Sequence, residues 1–445
     1  MQEGQLLRPR SDIVQAGPLL ENRRFFSLCL ARFLSSTAQH GIYFGLLIVV
    51  VQRTGSSIYS GLLIFTFLLP GVLTGLYAGV VADRSPKRLV MFLSQGLRAV
   101  ACLAFFLWGD SLWRLYAITL GFATVTQFNS PAESAAVPVI VPHGRLASAN
   151  ALLNLTSIVA QGAGMLVLAP LFMKTVGEDP LFIVAGLLFA GAAFVVTSLW
   201  GLEPETVRRE RLGAVGRGLT EQFRKAWRAI LYDSKVSSAV VQLTLATTAA
   251  LVLVAALPKY LSEVLNTRVD NAAFVFAPAA LGLLVGLRVA PWLGQRIGDA
   301  QVVTVGFVSF LVCLTSLGFV EQLADLMRDQ ASTFTDAIEW TGLSLDATMA
   351  MGLSIPLGFA YSLVTVAARA VLHERVAADM MGRIFAMQMV LGSLASIVPL
   401  FIVGGLAELM SARIVIGLVT GAVLVAAIYS HLWVRRQAEI LARAV

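Results

Sequence analysis

Residues 79–90 read "GVVADRSPKRLV" and stand between two long apolar stretches. Asp83 and Arg84, then Pro86, Lys87 and Arg88, break the run. A turn between two membrane-crossing helices has to be polar, and Lys and Arg gather in such turns on the cytoplasmic side. That accounts for Lys87 and Arg88 but not for Asp83. A carboxylate where a helix enters hydrocarbon is costly unless something stabilises it. The free N–H groups and dipole at the N-terminus of a neighbouring helix would do so. The stretch therefore predicts a helical membrane protein with a contact between the end of one helix and the start of another.

The rest of the chain agrees. Its 445 residues are 57% hydrophobic and only 13% charged, with a mean hydropathy of +0.79. An ordinary soluble domain carries roughly a quarter charged residues. The apolar blocks are near twenty residues long, the length that crosses a bilayer as a helix. Short alternating segments of a barrel are absent. Cys29, Cys102 and Cys313 lie inside apolar spans, far apart and without metal spacing, and read as small packing residues. The net charge of +7 sits in loops beside the spans, which argues against nucleic acid as a partner.

Twelve spans are predicted: 25–51, 58–82, 88–108, 113–129, 148–173, 180–201, 236–260, 272–295, 301–322, 346–372, 383–407 and 412–434. With both termini cytoplasmic, 23 of the 33 Lys and Arg fall on the inner side and 7 on the outer, which fixes the orientation. The predicted organisation is an N-terminal tail 1–24, a six-helix bundle 25–202, a linker 203–235, a second six-helix bundle 236–434 and a C-terminal tail 435–445. In the linker Leu219, Phe223, Trp227, Ile230 and Leu231 share one helical face and Arg224, Lys225 and Arg228 the other, a pattern for the membrane surface.

The halves echo one another. "SPAESAAVPVIVPHGRLASANAL" from Ser130 aligns with "TVAARAVLHERVAADMMGRIFAM" from Thr365 at a shift of 235, placing Ala132 on Ala367, Ala135 on Ala370 and Val141 on Val376. "ADRSPKRLVMF" aligns more weakly with "GQRIGDAQVVT" at a shift of 212. An insertion in the acidic loop 323–345 reconciles the two offsets. Repeated six-helix halves around a midplane cavity are the plan of many secondary transporters.

With Gly79, Asp83, Arg84, Lys87 and Arg88, the loop matches G-x-x-x-D-R-x-x-K-R and resembles the motif between helices 2 and 3 of the major facilitator superfamily. The stretch Pro131 to Asn150 and the "GR.FA" start at Gly382, Arg383, Phe385 and Ala386 are similar to bacterial drug/proton antiporters of the macrolide-efflux, siderophore-exporter and lysophospholipid-transporter kind. The resemblance implies that Asp83 meets the backbone near Gly382 and latches the two halves on the cytoplasmic side. It departs from the family at Pro86, where Gly is usual. The helix-5 glycine and proline motif is met only loosely by Gly162, Gly164 and Pro170, and the helix-4 arginine is missing, Arg114 lying at the outer end.

Ionisable residues inside spans are functional candidates. His40, in "AQHG", stands near where related exporters carry an acid, and is the candidate for proton coupling. Arg32, Gln39, Tyr43, Phe44, Arg98, Phe128, Arg288 and Tyr361 are candidates to line a substrate cavity. Arg98 and Arg288 could instead snorkel towards the cytoplasm. Glu133 and Arg369 are positioned to pair between the halves. No nucleotide-binding loop, metal cluster or nucleophile elbow is present, so neither cofactor nor catalysis is expected.

The expected function is proton-coupled export of a hydrophobic or amphiphilic small molecule by alternating access, from a monomer in a bacterial inner membrane. A lipid or lysolipid transporter, a facilitator of a small anion or metabolite, and a transporter-shaped sensor are the alternatives.

Overall fold

The computed structural model describes residues 19–142, 145–199, 224, 227–267, 271–328, 344–376, 378–409 and a set of positions between 411 and 428. Among them the side chains of Asp83, Arg84, Gly382 and Arg383 lie outside the described set, as do Leu219 and Phe223 of the linker. Every regular element among the described residues is helical.

The helices are α1 (Arg23–Thr54), α2 (Ser57–Arg84), α3 (Lys87–Trp108), α4 (Leu112–Ile140) and α5 (Leu146–Gly162). A π-helical segment (Ala163–Leu168) joins α5 to α6 (Ala169–Thr175), and α7 (Glu178–Thr197) follows. The second group is α8 (Ser234–Glu263), α9 (Ala272–Phe276), α10 (Ala279–Ile297), α11 (Asp299–Gly318), α12 (Val320–Arg328), α13 (Leu345–Arg375) and α14 (Ala378–Leu409). Nine helices among the described residues are long and apolar enough to cross a bilayer, and this is a multi-pass membrane protein. Two sequence expectations change here. The span 272–295 is broken after Phe276, where Pro278 stands at the start of α10, and the loop 323–345 begins as helix, α12.

Local signals set the boundaries. The Asn22 carboxamide accepts from the backbone N–H groups of Arg24 and Phe25 at the start of α1, and Gly55 ends it in the left-handed region at φ 64°. Asp233 caps α8 in the same way through Lys235 and Val236. The opening stretch makes a turn without a left-handed residue: Ser85 is extended and Pro86, at φ −56°, caps α3. At the shift of 212, Pro86 falls on Gly298, which is left-handed at φ 86°. The two loops of the repeat thus reach the same reversal by different backbones, because Pro is locked near −65° and Gly is not.

Take the near end of the molecule as the one where α1 begins. Of the four buried cores among the described residues, one, with Ile42, Leu46, Phe105, Phe122 and Phe189, belongs wholly to the first group, and the other three define the state. One joins both groups at the far end: Phe44, Ile48, Ile64 and Leu181 pack with Val252, Leu261, Phe310, Leu357 and Leu400. At the near end there are two cores. Phe25, Leu28, Met91, Val137, Leu153 and Leu199 belong wholly to the first group, and Val240, Leu243, Ala290, Val302, Leu372 and Ile384 to the second. The groups are cemented at the far end and form separate cores at the near end. Ile230 of the linker is buried in the second near-end core, while Trp227 and Leu231 are exposed.

Within each group the helices touch through small residues, as expected where lipid is as apolar as a side chain. Gly164 of the π-helical segment lies against the backbone of α1, where an added Cβ would overlap the Thr37 carbonyl oxygen and stand 2.8 Å from the Gly41 nitrogen. Gly282 of α10 and Gly358 of α13 make the reciprocal contact in the second group. Across the groups α2 packs along α14. At the far end the Lys174 ammonium donates to Asn271 Oδ1 at 2.5 Å and lies 4.5 Å from the centre of the Phe274 ring.

Candidate functional site

A polar pocket of about 190 Å³ opens among α1, α4 and α5, lined by Arg32, Ser35, Ser36, Gln39, His40, Thr126, Asn129, Ser130, Glu133 and Ser157. Helical rise puts Glu133 about 10 Å and His40 about 25 Å from the near end. The pocket therefore lies inside the bilayer, on the near side of the shared core.

Three helices deliver its charges. Arg32 Nη1 donates to Glu133 Oε2 at 2.6 Å, and Arg32 Nε donates to the Ser157 hydroxyl. The Ser157 hydroxyl in turn donates to the Leu153 carbonyl of its own helix, at 2.9 Å. The Glu133 side chain is 6% exposed, the Arg32 side chain 24%. The pair expected between Glu133 and Arg369 is not formed. Arg32 stands closer to Glu133, on the same group, and Arg369 is exposed on α13.

Arg98 does not snorkel. It is fully buried, and its guanidinium is held by neutral groups. Nε donates to the Ser94 carbonyl at 3.2 Å, Nη1 to Gln39 Oε1 at 3.2 Å and Nη2 to Gln95 Oε1 at 2.8 Å. The Phe189 ring lies 4.7 Å from its central carbon. Gln95 and Ser94 both donate to Asn129 Oδ1, which ties α3 to the pocket wall on α4. Gln39 passes the network on, donating to the Tyr43 hydroxyl at 3.4 Å. His40 Nδ1 lies 2.8 Å from the Ser36 carbonyl oxygen. A carbonyl only accepts, so this bond places the hydrogen on Nδ1 and leaves Nε2 as the basic nitrogen.

The other cavity candidates are dispersed. Tyr43 packs at 4.2 Å against Phe67 and edge-on to Phe122. Phe44 is buried in the far-end shared core and does not line the pocket. Phe128 is half-buried beside Asn129, outside the lining set. Tyr361 is half-buried on α13, with the Phe310 ring 6.5 Å away. Arg288 is exposed half-way along α10 and does not line the pocket. The expected contact of Asp83 with Gly382 falls on side chains outside the described residues; the helices that carry them, α2 and α14, are packed together.

Gln95, Asn129 and Ser157 were not singled out in the sequence. The signal was there: Gln95 and Arg98 are three apart, Asn129 and Glu133 four, so each pair shares a helix face in an otherwise apolar span.

The family model of the Major Facilitator Superfamily matches residues 28–398. The chain belongs to that superfamily. No curated protein matches it in sequence. Solved structures share its fold at low identity. The nucleoside transporter NupG superposes with a TM-score of 0.69 at 10% identity, over 92% of this chain and 98% of that one. A bacterial homologue of the human lysosomal transporter Spinster, solved inward-facing and unoccupied, gives 0.66 at 15% identity over 94% and 98%. The POT family transporter PepTSo gives 0.69 at 12% over 93% and 98%. The protein is thus a transporter of the major facilitator fold.

Proposed function

We propose that the protein exports a hydrophobic or amphiphilic small molecule from the bacterial cytoplasm in exchange for protons, by rocking its halves, 25–202 and 236–434, about a central site. Membership of the superfamily gives secondary transport. The observation that carries the finer reading is the pocket on α1, α4 and α5, which combines a buried ion pair, Arg32–Glu133, with a histidine. Those are groups that can exchange a proton while a solute binds beside them. With the near end cytoplasmic, as the excess of Lys and Arg in its loops favours, the far-end core and the Lys174–Asn271 contact support reading this as an inward-facing state. Asp83 then acts as the cytoplasmic latch that forms against the start of α14 when the near end closes. The protein works as a monomer, with bilayer lipids and solute as its partners and no cofactor.

The reading is tested in proteoliposomes with an imposed pH gradient and a panel of dyes, drugs and lysolipids. At least one amphiphile should move faster with the gradient than without it, and His40→Ala should lose that acceleration. Gradient-independent flux for the whole panel would rule out proton exchange, and full acceleration in His40→Ala would remove His40 from the coupling.

A further inference from the structure

The ionisable groups deep in the spans do not balance. Among the described helices Glu133 is the one acidic residue more than a turn from a helix end. Two arginines lie close to it at comparable depth: Arg32, its partner, and Arg98, fully buried among neutral ligands. One carboxylate against two guanidiniums leaves the site with a net charge of +1. Arginine cannot shed its proton to escape this. An ion that has lost its water without gaining a counter-ion costs several kcal/mol, and neutral amides recover part of that.

The geometry also leaves donors free. Arg32 uses Nε on Ser157 and Nη1 on Glu133, and Nη2 has no partner among the described residues although Arg32 lines the pocket. Gln39 accepts from Arg98 and lines the same pocket, so a single amide stands between the buried charge and the cavity.

We propose that the pocket seats the anionic head of its solute, a carboxylate or phosphate, on Arg32 Nη2 within the field of Arg98. This rests on the transport reading above and narrows it: the solute is an anionic amphiphile, and its head is the missing counter-charge. A cationic solute would enter against the same field. Because the charges are buried, the preference should survive ionic strengths that screen surface charges.

The test compares chain-matched alkyl carboxylate, alkylammonium and neutral alkyl glycoside by calorimetric titration of the purified protein in a neutral detergent. Wild type should bind the carboxylate at least tenfold more tightly than the ammonium. Arg98→Gln should bring that ratio close to one, while Arg98→Lys should keep most of it. Glu133→Gln frees Arg32 and raises the site charge, so it should widen the ratio, and it decides the matter should Arg98→Gln fail to fold. Equal or tighter binding of the ammonium by wild type overturns the proposal, as does an unchanged ratio in Arg98→Gln or Glu133→Gln. Acetate and inorganic phosphate serve as chain-free probes. If they displace the alkyl carboxylate, the head alone suffices and a small free anion is the ligand; if only chain-bearing anions compete, it is an amphiphile, and either result places an anion in the pocket. The failures are separable: an ammonium amphiphile bound and exported sinks the anion site and leaves export intact, whereas anion binding without gradient-driven flux sinks proton exchange and leaves the site.

Discussion

Glu133→Gln is expected to abolish gradient-driven flux and to destabilise the protein by about 3 kcal/mol, the low end of what breaking one side of a buried ion pair costs. The Glu133 side chain is 6% exposed, so its substitution leaves the Arg32 guanidinium uncompensated in a site that already holds Arg98. The low end applies because Arg32 keeps 24% of its side chain accessible and can turn partly to water. Thermal unfolding in detergent reads the stability change and proteoliposome flux reads the function. An anionic amphiphile should restore part of the lost stability, since it supplies the charge that was removed. If Glu133→Gln transports normally with an unaltered gradient response, the ion pair is scaffolding and the coupling lies elsewhere.

A large, purely structural effect is expected at Gly358. A Cβ there would overlap the Ala279 carbonyl oxygen and stand 2.8 Å from its carbon and 3.1 Å from its Cα. Those are backbone atoms at the start of α10 and cannot rotate aside. Gly358→Val should therefore cost about 3 kcal/mol, at the upper end of overpacking penalties, and separate α10 from α13. Gly352 lies on the same helix with nothing within 4 Å of its added Cβ, so Gly352→Val serves as the matched control and should be close to neutral. Equal stability of the two variants, read as the fraction surviving a heat step, would show that the helices do not pack as closely as described.

Much of the fold was legible because the bilayer imposes it. A span of about twenty apolar residues has few structures open to it, since backbone groups in lipid must be satisfied within the segment. The loop at 83–88 and the repeat at Ser130 and Thr365 then pointed to the family. The site was less legible. Arg32, Gln39, His40 and Glu133 were recognisable as polar residues in apolar surroundings, and they do meet. Their pairing was not recognisable. The repeat places Glu133 on Ala368, one residue short of Arg369, and suggested a pair between those two charges, but Glu133 pairs with Arg32 on α1 instead. Phe44 was misread for a related reason: aromatic residues suit a cavity and a core equally, and its depth beyond His40 puts it in the far-end core. The π-helical turn at Ala163–Leu168 has no strong sequence signature beyond Gly162, Gly164 and Pro170, yet Gly164 brings α1 and this segment into backbone contact beside the pocket.

The halves are expected to share a core at one end at a time. The three native cysteines are buried, so introduced surface cysteines can be labelled selectively. Pulsed electron–electron resonance on spin labels at Val139 and Ile297 for the near end, and at Val176 and Leu326 for the far end, reads both gaps. With solute and a pH gradient the near-end distance should shorten as the far-end distance lengthens, and Asp83→Asn should depopulate the near-closed form. Distances that stay fixed at both ends under every condition, or that change together, would rule out alternate closure of the two ends.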